Sequence, residues 1–187
     1  QMVVAVVKQL VDVVGVPVAN ITVADPSRFI ADKTYDRCVA LYPGVVFVED
    51  NFSYPGNPVG TEGRTKSEPT STTLMRYSGL AKNGTPIPPN ALPMCMYRAD
   101  YVINLGVLKG HPQAAVTLSG KNWYGCFTQP PGDTHHNLAW MAGTSSSPTP
   151  EAGHYRSMVD LMGHEHLGGK TMLYLLDGLW GFRSHGT

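Results

Sequence analysis

The chain has 187 residues, of which 42% are hydrophobic and 15% are charged. This length and composition are typical of one globular domain with a substantial core. The formal net charge is zero and the pI is about 7.2, which argues against nucleic acid as a partner and against a polybasic membrane contact. No apolar run reaches the length of a membrane span.

The first part of the chain predicts alternating helices and strands. Valines and a leucine recur at helical spacing from Val3 to Val14, and Gly15 provides a stop signal. Residues 19–24 predict a strand, residues 27–42 a helix, and residues 45–48 a second strand. This order and spacing indicate parallel strands joined by right-handed crossovers. We therefore expect an α/β fold, with a mainly parallel sheet flanked by helices.

Two long segments lack a clear pattern. Residues 50–93 and 128–150 are rich in Pro, Gly, Ser and Thr, and Thr72–Tyr77 is the only short strand predicted there. Long irregular runs in compact domains are uncommon and often serve as lids or interaction arms. The plainer interpretation is an irregular excursion with an edge hairpin.

The central stretch of the chain concentrates polar groups after a strand. Residues 101–108 are mostly apolar and β-prone, which predicts a buried strand. Lys109-Gly110-His111-Pro112 follows, where Gly and Pro predict an end of regular structure. A second polar cluster, Gly120-Lys121-Asn122, comes shortly after and is closed by Gly125. Lysine charge with amide or backbone donors can hold an anion.

The last part of the chain predicts one more helix and one more strand. The helix is expected over Glu151–Met162, with an apolar face, and the strand over Thr171–Leu176, ending at Asp177-Gly178. No closing element follows before Thr187. We expect residues 1–187 to be a single α/β domain that is cut at both ends and belongs to a longer domain.

The central stretch resembles the domain of unknown function family 362. The shared pattern is Asp-x-x-Ile-Asn-x-x-x-Leu-Lys-x-His followed by Val-Thr-Leu-x-x-Lys-Asn-x-x-Gly. It is carried by Asp100, Ile103, Asn104, Leu108, Lys109, His111, Val116, Thr117, Leu118, Lys121, Asn122 and Gly125. Looser agreement continues through His154, Val159-Asp160-Leu161 and Asp177-Gly178. The resemblance implies an α/β domain and supplies no established reaction.

Cysteine usage bears on the cofactor. Some relatives in that family carry iron–sulfur ligand motifs, whereas Cys38, Cys95 and Cys126 are widely spaced and form no Cys-x-x-Cys. Because such clusters generally need four thiolates, no iron–sulfur cluster is expected in this chain. Buried, inert thiols are the favoured interpretation. The alternatives are one disulfide with a free thiol, or Cys126 as a nucleophile activated by nearby cations.

The candidate site follows from placing the four strands side by side. Their carboxyl ends carry Asp25, Glu49-Asp50, Lys109 with His111, and Asp177. Ligands of open parallel sheets bind beyond the carboxyl ends of the strands, so these groups would converge on one edge. The competing interpretation is that the acidic residues form turns or cap the following helices, and that Asn122 caps a turn.

Three hypotheses for function result. In the first, an enzyme or binding protein acts on a small anionic molecule, with His111, Lys109 and Asp177 as catalytic residues. Its ligand-binding residues would be Lys121, Asn122, Asn104 and Asp25. In the second, a non-catalytic interaction module uses the long loops as its contact surface. The third is a divalent-metal site. All seven histidines fall at or after position 111, and neutral imidazole is a common metal ligand, which makes His111 and His154 the first candidates.

The sequence does not decide between these hypotheses. Whether the protein is an enzyme, its cofactor and its oligomeric state stay open. The low charge and the 20 glycines and 15 prolines favour an extracytoplasmic protein slightly.

Overall fold

A computed structural model of the chain describes residues 2–49, 63–80, 85–111, 115–127 and 157–182. In these ranges the α-helices are Met2–Lys8 (α1), Asp32–Leu41 (α2), Met94–Arg98 (α3), Ser119–Asn122 (α4) and Ser157–Gly163 (α5). The strands are Thr22–Ala24 (β1), Val46–Glu49 (β2), Arg64–Lys66 (β3), Pro69–Met75 (β4), Asn90–Pro93 (β5), Val102–His111 (β6), Ala115–Thr117 (β7) and Thr171–Phe182 (β8). None of the helices described is long and apolar enough to cross a membrane.

The α/β class is confirmed, and the first sheet has the expected parallel pairing. Its strand order is β1-β2-β3, and both neighbouring pairs are parallel. The valine-rich helix continues from α1 into a π-helical turn, Gln9–Val14. It ends at Gly15, whose φ of 82° lies in the left-handed region that glycine tolerates.

Helix α2 begins later than the sequence predicted. It starts at Asp32 and not near residue 27, because the preceding residues are committed to other contacts. The Arg28 N–H closes a turn on the Asp25 carbonyl at 3.2 Å. The Ile30 N–H donates to the Glu49 carboxylate on β2 at 3.0 Å. A backbone N–H bonded to a side chain on another strand cannot join a helix at the same time.

The prediction that residues 50–93 hold only one short strand is wrong. Strands β3, β4 and β5 all lie in this segment, and β4 pairs antiparallel with β5. Residues 50–62 and 81–84 lie outside the described ranges. The strands are short and rich in Thr, Ser and Pro, so they show little apolar alternation. Their pairing depends on partners distant in sequence, which local propensity does not report.

The third sheet contains the central stretch. Its order is β7-β6-β8, with β6 parallel to β8 and antiparallel to β7. The predicted end of regular structure at Lys109 is wrong, since β6 runs to His111 and pairs Lys109 with Thr117 and Gly110 with Val116. A glycine in a strand weakens it without excluding it. Pro112 is outside the described residues.

The expectation that four parallel strands share one sheet is also wrong. Among the described residues, β1 and β2 belong to the first sheet and β6 and β8 to the third. The first and third sheets are still connected by one contact, which involves the turn after β1. A Cβ added to Gly125 would lie 3.2 Å from the Ser27 hydroxyl, so the turn after β1 lies against the turn that follows α4.

Two buried apolar clusters support these sheets. The first packs α1 and α2 on the first sheet and consists of Val7, Ile21, Ile30, Cys38, Val45 and Phe47. The second lies between β4, β5, β6, α5 and the turn after α4, and consists of Met75, Leu92, Val102, Trp123, Cys126, Phe127, Leu161 and Leu167. Of these, Leu92, Leu161 and Leu167 are 0% exposed. The second cluster therefore includes residues of the segment that the sequence predicted to be irregular.

The turn from α5 to β8 requires one particular glycine. A Cβ at Gly168 would overlap the backbone carbonyl of Met162, at the end of α5. Leu167, immediately before it, is completely buried. This close approach of two backbones sets the position at which the chain enters β8.

We predict that Gly168→Ala lowers the free energy of unfolding by about 2 kcal/mol, because the methyl group would force two backbone segments apart. Gly163→Ala is the matched control, since a Cβ there meets nothing within 4 Å. The control should change stability by less than about 0.5 kcal/mol. Urea denaturation of both variants measures the difference, and equal stability of the two would contradict the close approach.

Candidate functional site

Strand β6 has a polar side chain, that of Asn104, in the middle of its buried face. Val102, Asn104 and Gly106 are all buried, as expected for alternate residues on one side of a strand. The Asn104 side chain is only 3% exposed. A buried amide needs hydrogen-bond partners, because leaving it unpaired costs about 1–3 kcal/mol.

Asn122 supplies the partner from helix α4. Its Nδ2 donates to Asn104 Oδ1 at 3.1 Å and to the Leu105 carbonyl at 3.1 Å. One amide group thus uses both of its hydrogens to hold α4 against β6. Asn104 Nδ2 is buried and has no hydrogen-bond partner within the described ranges.

Glycines allow α4 to lie close to its neighbours. A Cβ at Gly106 would stand 3.4 Å from the Ser119 Cα and 3.2 Å from a methyl of Leu176 on β8. On the other side of α4, a Cβ at Gly120 would stand 3.2 Å from the Met162 sulfur on α5. Helix α4 is therefore held between β6 and α5. Gly106, inside an apolar strand run, is a sequence signal for such close packing that sequence reasoning did not use.

Helix α5 is itself tied to two parts of the structure. The Ser157 and Tyr124 hydroxyls lie 2.6 Å apart, which joins α5 to the turn after α4. The Asp160 carboxylate accepts hydrogen bonds from the Ser78 N–H at 3.1 Å and from the Ser78 hydroxyl at 2.9 Å. The Ser78 contact joins α5 to the segment after β4. Helix α5 thus supports the outer side of α4.

The two lysines of the central stretch are close enough to interact. Lys121 is half-buried on α4, and Lys109 is half-buried on β6 opposite Thr117. Burial lowers the pKa of Lys121, and the positive charge of Lys109 lowers it further. No ion pair found among the described residues involves either lysine. Both Lys109 and Lys121 were candidate site residues in the sequence.

Asp177 lies near Lys109 in the third sheet. In the parallel register of β6 and β8 it is opposite Val107, two residues before Lys109 along β6. Both residues lie inside strands, and not beyond the strand ends as predicted. The backbone of His111 ends β6 opposite Ala115, and the His111 side chain is outside the described part of the structure. The structure therefore brings Asp177 and Lys109 onto neighbouring strands.

The residue Thr117 adds an uncommitted hydroxyl near Lys109. Thr117 is 7% exposed, and its Oγ1 has no hydrogen-bond partner among the residues that the structure describes. It sits directly opposite Lys109 in the β6–β7 ladder. Buried hydroxyls without partners are uncommon in native proteins.

The acidic residues Asp25 and Glu49 lie at the carboxyl ends of β1 and β2 in the first sheet. Asp25 forms the turn after β1, where its carbonyl accepts the Arg28 N–H and its own N–H donates to the Val48 carbonyl at 2.9 Å. The Glu49 carboxylate is 1% exposed and lies 3.9 Å from Arg64 Nε. Among the described residues, the strands that carry Asp25 and Glu49 belong to a different sheet from those that carry Lys109 and Asp177, so the single sheet edge that was predicted is not formed there.

The Glu49–Arg64 contact is a polar cluster that sequence reasoning missed. Arg64 Nη2 donates to Asp32 at 2.7 Å, and its guanidinium lies 4.3 Å from the centre of the Tyr35 ring. With the Ile30 bond to Glu49, these contacts connect β2 and β3 to the start of α2. These contacts stabilise the fold. The sequence indicated them only through a glutamate at the end of an apolar strand.

The metal hypothesis is not tested by the structure. His154 and the His135-His136 pair lie outside the described residues. Within the described ranges, no group of three or more His, Cys, Asp or Glu side chains is arranged to hold a metal ion. Binding of a divalent metal by His111 and His154 therefore stays a prediction.

None of the three cysteine thiols is activated as a nucleophile. Cys38, Cys95 and Cys126 are free. Burial raises the pKa of Cys95 to about 11 and raises that of Cys126 well above its ordinary value. Because the thiolate is the reactive form, the interpretation of Cys126 as a nucleophile loses its physical basis.

We predict that Asn122→Ala lowers the free energy of unfolding by about 1–3 kcal/mol, because it leaves the buried Asn104 Oδ1 without its donor. Asn20→Ala is a suitable control, since Asn20 is an exposed asparagine at the end of the short helix Val18–Asn20. The control should change stability by less than about 0.5 kcal/mol. Chemical denaturation measures both, and similar small effects would mean that the amide pair does not hold α4.

Comparison with known proteins supports the resemblance carried by the central stretch. Neither curated proteins nor solved structures gave a match to this chain. A protein-family model described as "Domain of unknown function (DUF362)" matches residues 68–187, which is well over half of the chain and includes β6, β7 and α4. The chain therefore belongs to the DUF362 family.

Proposed function

We propose that the protein binds a small anionic molecule beside β6 and α4, with Lys109 and Lys121 as the groups that hold the negative charge. The observation that carries this proposal is the pair of half-buried lysines, coupled to each other and without a carboxylate partner among the described residues. Bringing two like charges together in a partly buried place is unfavourable. An anion bound between the two ammonium groups would offset their repulsion.

The surroundings of the lysines support the same proposal. The Asn122–Asn104 contact and the packing on Gly106 fix the backbone of α4, so Lys121 is presented from a rigid support. Preorganised charges bind more tightly, since less side-chain freedom is lost on binding.

The chemistry of the site favours phosphate or carboxylate as the bound group. Lysine ammonium groups act as point charges and do not demand the planar bidentate geometry of arginine. Asn104 is too deeply buried to meet the ligand and serves to position α4. The hypothesis also assigns roles to three further residues. His111 would act as acid or base, Asp177 would orient a partner, and Asp25 would bind the ligand. The strand before Asp25 belongs to the other sheet, and the role of Asp25 in binding stays a prediction.

The alternative of a non-catalytic interaction module is weakened for one of its two loops. Part of residues 51–93 forms strands β3 to β5, and Met75 and Leu92 of this segment are 1% and 0% exposed. A segment whose side chains build the core is not free to act as a contact arm. The other proposed loop, residues 128–150, lies outside the described residues.

The binding proposal is tested with Lys109→Ala, Lys121→Ala and the double variant, titrated with inorganic phosphate and with malonate at constant ionic strength. Each single variant should bind at least tenfold more weakly, because a charge-assisted hydrogen bond contributes about 1.5–3 kcal/mol. The double variant should show no binding. Isothermal titration calorimetry or chemical-shift titration provides the affinity.

Lys66→Ala is the matched control for charge. Lys66 is an exposed lysine on β3, so its removal changes the net charge by the same amount, and affinity should stay within about twofold of the original. Unchanged affinity in both single variants, or no response of the original protein to either anion, would reject the assignment.

A further inference from the structure

His164 forms a hydrogen bond through its ring within the turn that follows α5. Its Nδ1 accepts a hydrogen bond from the His166 N–H at 3.1 Å. A ring nitrogen that accepts a hydrogen bond carries a lone pair, so the proton of the neutral ring must sit on Nε2. The bond from His166 therefore requires the neutral ring in one tautomer.

The turn that His164 organises is part of the core. The Leu167 N–H and the Gly169 N–H both donate to the His164 carbonyl at 3.0 Å. Leu161 before the turn and Leu167 within it are completely buried. Gly168 presses against Met162 in the same turn. The imidazole contact with His166 is therefore made inside a segment that has little room to adjust.

The charged and titratable groups around the ring come from three parts of the chain. On the turn itself, the His166 ring centre is 5.8 Å from that of His164, and Glu165 lies 3.7 Å from His166 Nε2. On α3, the Tyr97 ring is 4.8 Å from the His166 ring. Just before β8, the Lys170 ammonium donates to the Tyr97 carbonyl at 2.7 Å. Strand β4 has no charged or titratable side chain, and only its neutral backbone at Leu74 acts on the ring.

We propose that His164 is a pH-sensitive latch, whose protonation at Nδ1 releases the turn of residues 163–167 from its bonded arrangement. Protonation converts Nδ1 from an acceptor into a donor, so it faces the His166 N–H donor directly. The His166 bond is then lost, and the new positive charge lies beside a second histidine. This latch is independent of the proposed anion site.

The direction of the pH effect follows from the environment of the ring. Burial lowers the pKa of His164, the neighbouring His166 lowers it further, and Glu165 and the Leu74 backbone oppose this decrease. A histidine whose pKa is lower in the folded state binds fewer protons there than in the unfolded state. The stabilisation is therefore complete above the unfolded pKa and is lost as the pH falls below it.

The direct test is hydrogen exchange of the His166 amide in the full chain, followed by NMR at pH 8 and pH 5.5 and expressed as a protection factor. The protection factor should fall at least tenfold at the lower pH. In His164→Asn the amide oxygen replaces Nδ1 as acceptor and does not titrate, so protection should change less than twofold. His166→Gln is the control and should keep the acid-induced loss at the same amide.

Two results would overturn the latch. One is an unchanged protection factor between the two pH values in the original protein, and the other is an equal loss in His164→Asn. If that variant does not fold, the ¹⁵N chemical shifts of the His164 ring in the original protein decide. They should report a proton on Nε2 alone at neutral pH, and a proton on Nδ1 at that pH would refute the proposal.

Discussion

The site depends on a buried amide oxygen, Asn104 Oδ1, that needs a hydrogen-bond donor. Asn104 lies in the covered face of β6, where an unpaired carboxamide would be costly. Asn122 satisfies the Asn104 oxygen and at the same time bonds to the Leu105 carbonyl. Because α4 has only four residues and packs against both β6 and α5, this one contact positions helix α4. The position of Lys121 relative to Lys109 follows from it.

Close packing, together with the Asn104–Asn122 pair, holds helix α4 in place. Gly106 lets α4 approach β6, and Gly120 lets α5 approach α4 from the other side. Helix α5 is in turn held by Ser157 and Asp160, which connect it to Tyr124 and Ser78. The arrangement joins the β4–β5 pair to the third sheet through α5. A change of charge at His164 would act on the carboxyl end of that connecting helix.

The parts of the fold predicted correctly are those whose signal is local. The valines from Val3 to Val14 have a helical period, Gly15 marks the end of that helix, and the apolar run before Lys109 forms a strand. The errors concern long-range pairing. Lys109 and Gly110 continue β6 because Thr117 and Val116 return beside them. Likewise, nothing in Arg64–Lys66 itself indicates that it pairs with β2.

The sequence identified several residues that lie close together, but it did not indicate the architecture that brings them together, and their role in binding stays a prediction. The spacing of Asn104, Lys109, Lys121 and Asn122 identified side chains that the structure places around one strand and one helix. The membership of Asp25 in a different sheet was not visible, because strand order depends on contacts between distant segments. The roles of Gly106 and His164 were missed for a similar reason, since each depends on which neighbour lies against it.

The most direct test of the site is the titration of Lys121 by heteronuclear NMR of its side chain, in the original protein and in Lys109→Ala. If α4 is held on β6 as described, the pKa of Lys121 lies below the ordinary lysine value and rises when the charge of Lys109 is removed. If Lys121 titrates like an exposed lysine and Lys109→Ala leaves its pKa unchanged, the two ammonium groups are not neighbours and the account of the site is wrong.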